Sequence, residues 1–167
     1  MLLLLVAAGC SVGNGSKPSA DDASDASDAT GASEPPQDLR VERVSSDAPG
    51  QGPEQPRVVV ARSAAALSDA TSAHVPESGS GTYLAAYWGE KPTGGYSMAV
   101  RSARLEGDRV EVRLLLKEPA RDAILTQALT YPYAVAVVRG LDPGEKSFSL
   151  VDEKGRELDW PVRRADG

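Results

Sequence analysis

Few residues in this chain have the type and spacing for bond-making chemistry, and Cys10 comes first among them. It is the one cysteine, and it closes the run Leu2-Leu3-Leu4-Leu5-Val6-Ala7-Ala8-Gly9-Cys10. An apolar run that ends in small residues has the form of an export segment and its cleavage site. A cysteine directly after it offers a thiol for thioether linkage to diacylglycerol, with cleavage before Cys10. His74 is the one histidine, so a Ser–His–Asp arrangement would have to use it. No Gly-x-Ser-x-Gly elbow accompanies it. Zinc would want several Cys or His ligands, which the chain does not supply. Asp108, Glu111, Asp142 and Glu145 fall in turns or on solvent-facing strand positions, a poor start for paired-carboxylate hydrolysis. Gly94-Gly95 lacks the lysine and helix of a phosphate loop. The expectation is no catalytic residue, no metal and no cofactor.

The form around Cys10 is that of a lipobox, and the chain is expected to be a lipid-anchored protein of the cell envelope. Each buried methylene contributes about 0.8 kcal/mol, so two or three acyl chains hold far more firmly than one. The export segment, residues 1–9, has no Lys or Arg and is short, which predicts a start upstream of Met1. Ser11, not Asp, follows the cysteine. That residue suits either the outer membrane of a two-membrane cell or the outer face of a plasma membrane. No stretch near twenty apolar residues exists for a spanning helix.

One loop has unusual chemistry. Trp88-Gly89-Glu90-Lys91-Pro92-Thr93-Gly94-Gly95-Tyr96 joins two expected strands. Pro92 fixes φ, while Gly94 and Gly95 permit positive φ where the chain reverses. Trp88 and Tyr96 stand at the two stems. Two readings stay open: a well-made hairpin connection, or a stiff recognition loop that loses little entropy on binding.

The elements that must hold this loop read mainly as β-structure. Arg57 to Arg62 is a β-branched strand. Ser63 caps a short helix through Ala64–Ala70. Thr82–Trp88 and Tyr96–Leu105 are strands, and Gly107-Asp108 turns the chain into Val110–Leu116. There Val110, Val112, Leu114 and Leu116 share one face. Residues 124–138 read as a helix-tolerant start and then a long strand broken at Pro132. Phe148–Val151 and Leu158–Trp160 form a last hairpin. The fold class is mainly β, an antiparallel sandwich or partly open barrel with one short helix. Residues 57–160 make the domain and 161–167 a flexible tail.

Residues 10–56 are expected to be a disordered acidic linker beginning at the lipidated cysteine. Ser, Ala, Gly, Pro, Asp and Gln dominate it, and such a segment buries too little surface to offset its entropy. Leu39 to Val44 is at most a transient strand with nothing to cover it. Residues 11–56 hold nine acidic and three basic residues of the chain's 24 and 18, leaving fifteen of each elsewhere. The acidity therefore belongs to the tether. The neutral domain carries no basic stripe for nucleic acid.

Two motifs in order, Gly89-Glu90-Lys91-Pro92-Thr93-Gly94-Gly95-Tyr96-Ser97 and Thr126-Gln127-Ala128-Leu129-Thr130-Tyr131-Pro132-Tyr133, resemble the PrcB C-terminal domain family over about residues 83–139. The family is named for a lipoprotein subunit of a surface protease complex. The resemblance implies a non-catalytic module that supports assembly or stability, with an exported protease as a partner. The loop's own chemistry makes Trp88, Lys91, Pro92, Thr93, Gly94, Gly95 and Tyr96 a candidate recognition loop. Thr126, Gln127, Pro132 and Tyr133 belong to the second motif. A different resemblance points to inhibition: Lys91–Tyr96 is similar to the N-P-T-T-G-Y loop of chagasin-type cysteine protease inhibitors. Lys91 stands for Asn and Gly94 for Thr, and no later G-x-G-G or R-P-W loop follows.

Overall fold

The computed structural model describes residues 34–45, 51–71 and 73–165. Cys10, the export segment, residues 11–33 and 46–50 of the linker and the last two residues lie outside them. Among the described residues nine strands and one helix follow in order: β1 Gln37–Leu39, β2 Val41–Ser45, β3 Arg57–Ala61, α1 Ala64–Thr71, β4 Thr82–Tyr87, β5 Ser97–Glu106, β6 Arg109–Lys117, β7 Tyr133–Val138, β8 Ser147–Val151 and β9 Val162–Ala165. They form two sheets, ordered β1-β5-β6-β8 and β2-β7-β4-β3-β9. The sheets are mixed, and neither closes on itself as a barrel.

The β5–β6 hairpin matches its sequence pattern. Leu105 faces Val110 across the Gly107 turn, where φ is +56°. Val110, Val112 and Leu114 are buried, and Leu116 packs against them at the rim. A register shift between Val100 and Ser102 is a bulge, and it interrupts the alternation of β5. Across the sandwich, Val58, Val60, Leu84, Ala86, Ala134, Ala136 and Val138 meet Val100, Val112, Leu114 and Leu150.

The second sheet has a core on its other face too. There Val59, Tyr83, Ala85, Tyr87, Val135 and Val137 pack under α1 through Ala64 and Leu67. Both faces of β4 are therefore covered, and all six of its residues are buried. A strand covered on both faces reads as a continuous apolar run with no alternation. Ser63 starts the helix as expected, its Oγ accepting from Ala66 N–H at 3.1 Å.

The fold class is as expected, mainly β in two sheets with one short helix, and most pairings are antiparallel, while β3 pairs β9 and β6 pairs β8 in parallel. Three expectations are corrected. The folded region begins before Arg57. Residues 37–39 pair with β5 and 41–45 with β7, and Leu39 and Val41 pack on the core. Arg139 ties this segment down through Glu42, whose carboxyl it holds below the ordinary range by hydrogen bonding. Finally, Val162–Ala165 is a strand on the sheet edge and not a free tail. Residues 124–132 are irregular, so the long strand expected over 124–138 exists only from Tyr133.

The turn after β8 is organised by one carboxylate. Asp152 Oδ1 accepts from Lys154 N–H at 2.9 Å and Arg156 N–H at 2.8 Å, and Oδ2 accepts from Arg156 Nε at 2.7 Å. The backbone bond from Arg156 is the main reason its pKa lies below 3.8. Because the folded value is depressed, the stabilisation is present above the unfolded pKa and is lost as pH falls through the folded one. Urea midpoints of Asp152→Asn should therefore fall less than wild type's between neutral pH and about pH 3. Removal of residues 1–45 should lower the urea midpoint at neutral pH, because it strips one strand from each sheet. An unchanged midpoint would mean that Arg57 is the true start of the fold.

Candidate functional site

Antiparallel pairing of β4 with β7 sets Tyr87 opposite Tyr133. The loops that leave these strands on one side are the two sequence motifs, so the sheet delivers them to the same place. Trp88 N–H donates to Pro132 O at 2.9 Å and continues the ladder. At Gly89 the pairing slips by one residue, and φ is +80°. A Cβ there would stand 2.6 Å from Glu54 O, the same carbonyl that accepts from Glu90 N–H at 3.0 Å. Beyond the slip, Lys91 and Thr130 exchange both backbone hydrogen bonds, at 2.8 and 2.9 Å. Gly94 N–H donates to Thr126 O at 3.1 Å, and Thr130 Oγ1 donates to Thr93 O at 2.8 Å. Tyr131 Oη donates to Glu90 Oε2 at 2.8 Å.

The first motif is thus zipped to the second along most of its length. That joint had no signal in either motif alone, since 126–131 has no strand periodicity and its partner lies some forty residues away. The order of the two motifs around one antiparallel pair was the available clue.

The stems behave as their residue types suggest. Trp88 and Tyr96 meet edge to face, with centroids 5.6 Å apart. Lys91 Nζ sits 4.7 Å from the Trp88 ring centre and 5.9 Å from that of Tyr96. Partial burial of Lys91 lowers its pKa, and Glu118 opposes that shift. The rings supply the attraction that the lost water gave. Pro92 is exposed at the tip. Beside the loop, Trp88, Leu116, Glu118 and Asp152 line an open cleft of about 400 Å³.

Gly94 and Gly95 differ. Gly95 has φ +86°, and a Cβ on it would lie 2.8 Å from Pro119 Cβ and 2.9 Å from Leu125 Cδ2. Gly94 would meet only Thr126 Cβ, at an ordinary 3.9 Å. The reversal therefore rests on Gly95, which stays exposed with Pro119 and Leu125 close beside it.

Of the second motif, Pro132 is buried at the entry to β7 and Tyr133 stacks on Tyr87 at 5.8 Å. Thr126 serves through its carbonyl, and Gln127 is exposed. Sequence reasoning missed two neighbours, Ile124 and Leu129. They are 104% and 55% exposed on the segment that covers the first motif, and they are the large hydrophobic residues left in solvent among those described. His74 is exposed and belongs to a different region, near Tyr87 and Tyr133. Among the described residues, no group of three or more His, Cys, Asp and Glu is placed to hold a metal ion. No helix among them is long and apolar enough to cross a membrane.

Residues 82–139 match the family model described as PrcB C-terminal, and both motifs lie inside that span. Neither the curated proteins nor the solved structures give a match.

Gly95→Ala should cost about 1–3 kcal/mol, from a positive φ and two contacts shorter than carbon atoms accept. Gly94→Ala should stay within about 0.5 kcal/mol. Urea unfolding of the two variants beside wild type checks the contrast, and equal effects would refute the assignment of the reversal to Gly95.

Proposed function

We propose, from the match of residues 82–139 to the PrcB C-terminal family, that this chain is a non-enzymatic subunit of an exported protease assembly. Its lipid is carried on Cys10, outside the cytoplasm. The zipped pair of motifs is the contact surface. The observation that carries this reading is the exposure of Ile124 and Leu129 on the 118–131 segment. A folded chain loses stability by leaving large aliphatic side chains in water, and such residues on an ordered loop mark a surface that a partner covers. The loop beneath is held by at least five hydrogen bonds, so little ordering entropy remains to be lost on association. The cleft beside Trp88 gives the same surface a concave neighbour for a partner side chain.

The inhibitor reading has less support. A wedge loop must stand free to enter an active-site cleft. Here Lys91, Thr93 and Gly94 are bonded to Thr126 and Thr130, and Pro119 and Leu125 close on Gly95.

The test uses the full chain expressed in its own cell. The expected result is a membrane-fraction protein labelled by palmitate at Cys10, with an exported protease recovered in near-stoichiometric amount after mild detergent extraction. Ile124→Asp with Leu129→Asp should cut that recovery by at least about tenfold and leave stability near wild type, since both side chains are already in water. Recovery of the protease undiminished by the double variant would defeat the surface assignment. Inhibition of a papain-like protease, abolished by Gly95→Val, would favour the wedge instead.

A further inference from the structure

A second concavity lies on the helix-covered side of the five-stranded sheet. It has a volume of about 650 Å³ and is lined by Arg57, Thr71, His74, Tyr87, Tyr133 and the Gln51–Pro53 segment, with Ala73. Small-molecule sites commonly run from about 300 to 1,000 Å³.

Its polar groups are unevenly satisfied. Tyr133 Oη is 3.3 Å from Ser45 Oγ and has its partner. The Thr71 hydroxyl donates to Leu67 O at 2.6 Å, so its proton is committed. Tyr87, only 4% exposed, has a buried hydroxyl with no hydrogen bond of ordinary length among the described residues. Arg57 Nε is likewise buried and unpartnered. Buried polar atoms in folded proteins are nearly always paired, and two such orphans on one cavity wall need a reason. Burial pushes the Tyr87 hydroxyl's pKa up, opposed by the Thr71 hydroxyl, which lies at long hydrogen-bonding range, and by the Arg57 charge, so the group remains a protonated donor. Both orphans can thus present hydrogen, one from a permanently charged guanidinium, and no Asp or Glu lines the cavity among the described residues. What completes them is an anionic oxygen. Beside them the Tyr87 and Tyr133 rings are stacked, 5.8 Å apart and 15° from parallel, and the Arg57 guanidinium lies over the Tyr87 ring, 5.6 Å from its centre, so an aromatic wall and a cation stand side by side.

We propose that this cavity is a binding site for a small aromatic carboxylate, whose oxygens accept from Tyr87 Oη and Arg57 Nε while its ring lies against the tyrosine pair. The anion meets charge-assisted donors in a partly dry site, where such bonds are strongest. The site is independent of the protease-assembly reading and stands or falls without it.

Calorimetric titration of the full chain with phenylacetate tests it. Saturable one-to-one binding is expected. The uncharged phenylacetamide should bind at least about tenfold more weakly, because it lacks the anion. Tyr87→Phe should weaken phenylacetate by about tenfold or more. Since it removes a hydroxyl that has no hydrogen bond of ordinary length among the described residues, it should not lower the thermal midpoint. Arg57→Gln should weaken binding at least as much. No binding of phenylacetate, or binding indifferent to Tyr87→Phe, would overturn the site. So would a fall in the thermal midpoint of Tyr87→Phe, which would show the hydroxyl already satisfied within the chain. Inorganic phosphate displacing phenylacetate at equal affinity would overturn the aromatic half of the assignment.

Discussion

The antiparallel pairing of β4 with β7 is the constraint on which the remaining structure depends. These two strands are central in the five-stranded sheet, and their register sets Tyr87 beside Tyr133. From one end of that ladder leave the two loops that zip together through Lys91 and Thr130. From the same end rises the tyrosine wall of the helix-side cavity. A shift of the ladder by one residue would turn every side chain of one strand to the opposite face, and both sites would come apart together. Register is fixed because neither face of these strands can tolerate the exchange. One face meets the other sheet, and the other meets α1.

The composition of the two strands follows from being covered twice. Ala85, Ala86, Ala134 and Ala136 keep the layers close, while Leu84, Val135, Val137 and Val138 fill them. Thr82 is wholly buried, and its hydroxyl donates to Leu141 O at 2.7 Å, which satisfies a polar group that would otherwise be a burden there. Tyr83 solves the same problem differently. Its hydroxyl accepts from Ser78 N–H and donates to Gly79 O, both at 2.9 Å, and so organises the loop that leads into β4. Tyr87 is the member of this set whose hydroxyl is left without such an arrangement among the described residues.

Residues with strictly local causes were legible in the sequence. Ser63 and the alanines after it gave the helix. Gly107-Asp108 between two alternating runs gave the hairpin. Trp88, Lys91, Gly95 and Tyr96 stood out because stiff backbone and aromatic stems are visible without a partner. What could not be read were features whose cause lies far along the chain. Gln37–Leu39 and Val41–Ser45 look like linker because their composition resembles what surrounds them. They are strands only because β5 and β7 offer free edges and a patch of core for Leu39 and Val41. Val162–Ala165 carries two arginines in four residues and reads as a tail, until Val58–Ala61 pairs with it in parallel. The 126–131 segment has no periodicity, because its hydrogen bonds go to another loop. Ile124 and Leu129 passed unremarked, since apolar residues in a β-rich chain are assumed to be inside.

The two outer strands of the five-stranded sheet come from opposite ends of the chain: β2 precedes all the other strands of that sheet, and β9 follows them. The same sheet therefore cannot be finished until both its first and its last strand in sequence have been made. Partnerships that span most of a chain slow the search for the native state. A polypeptide built this way keeps an open sheet edge until its last strand has been synthesised.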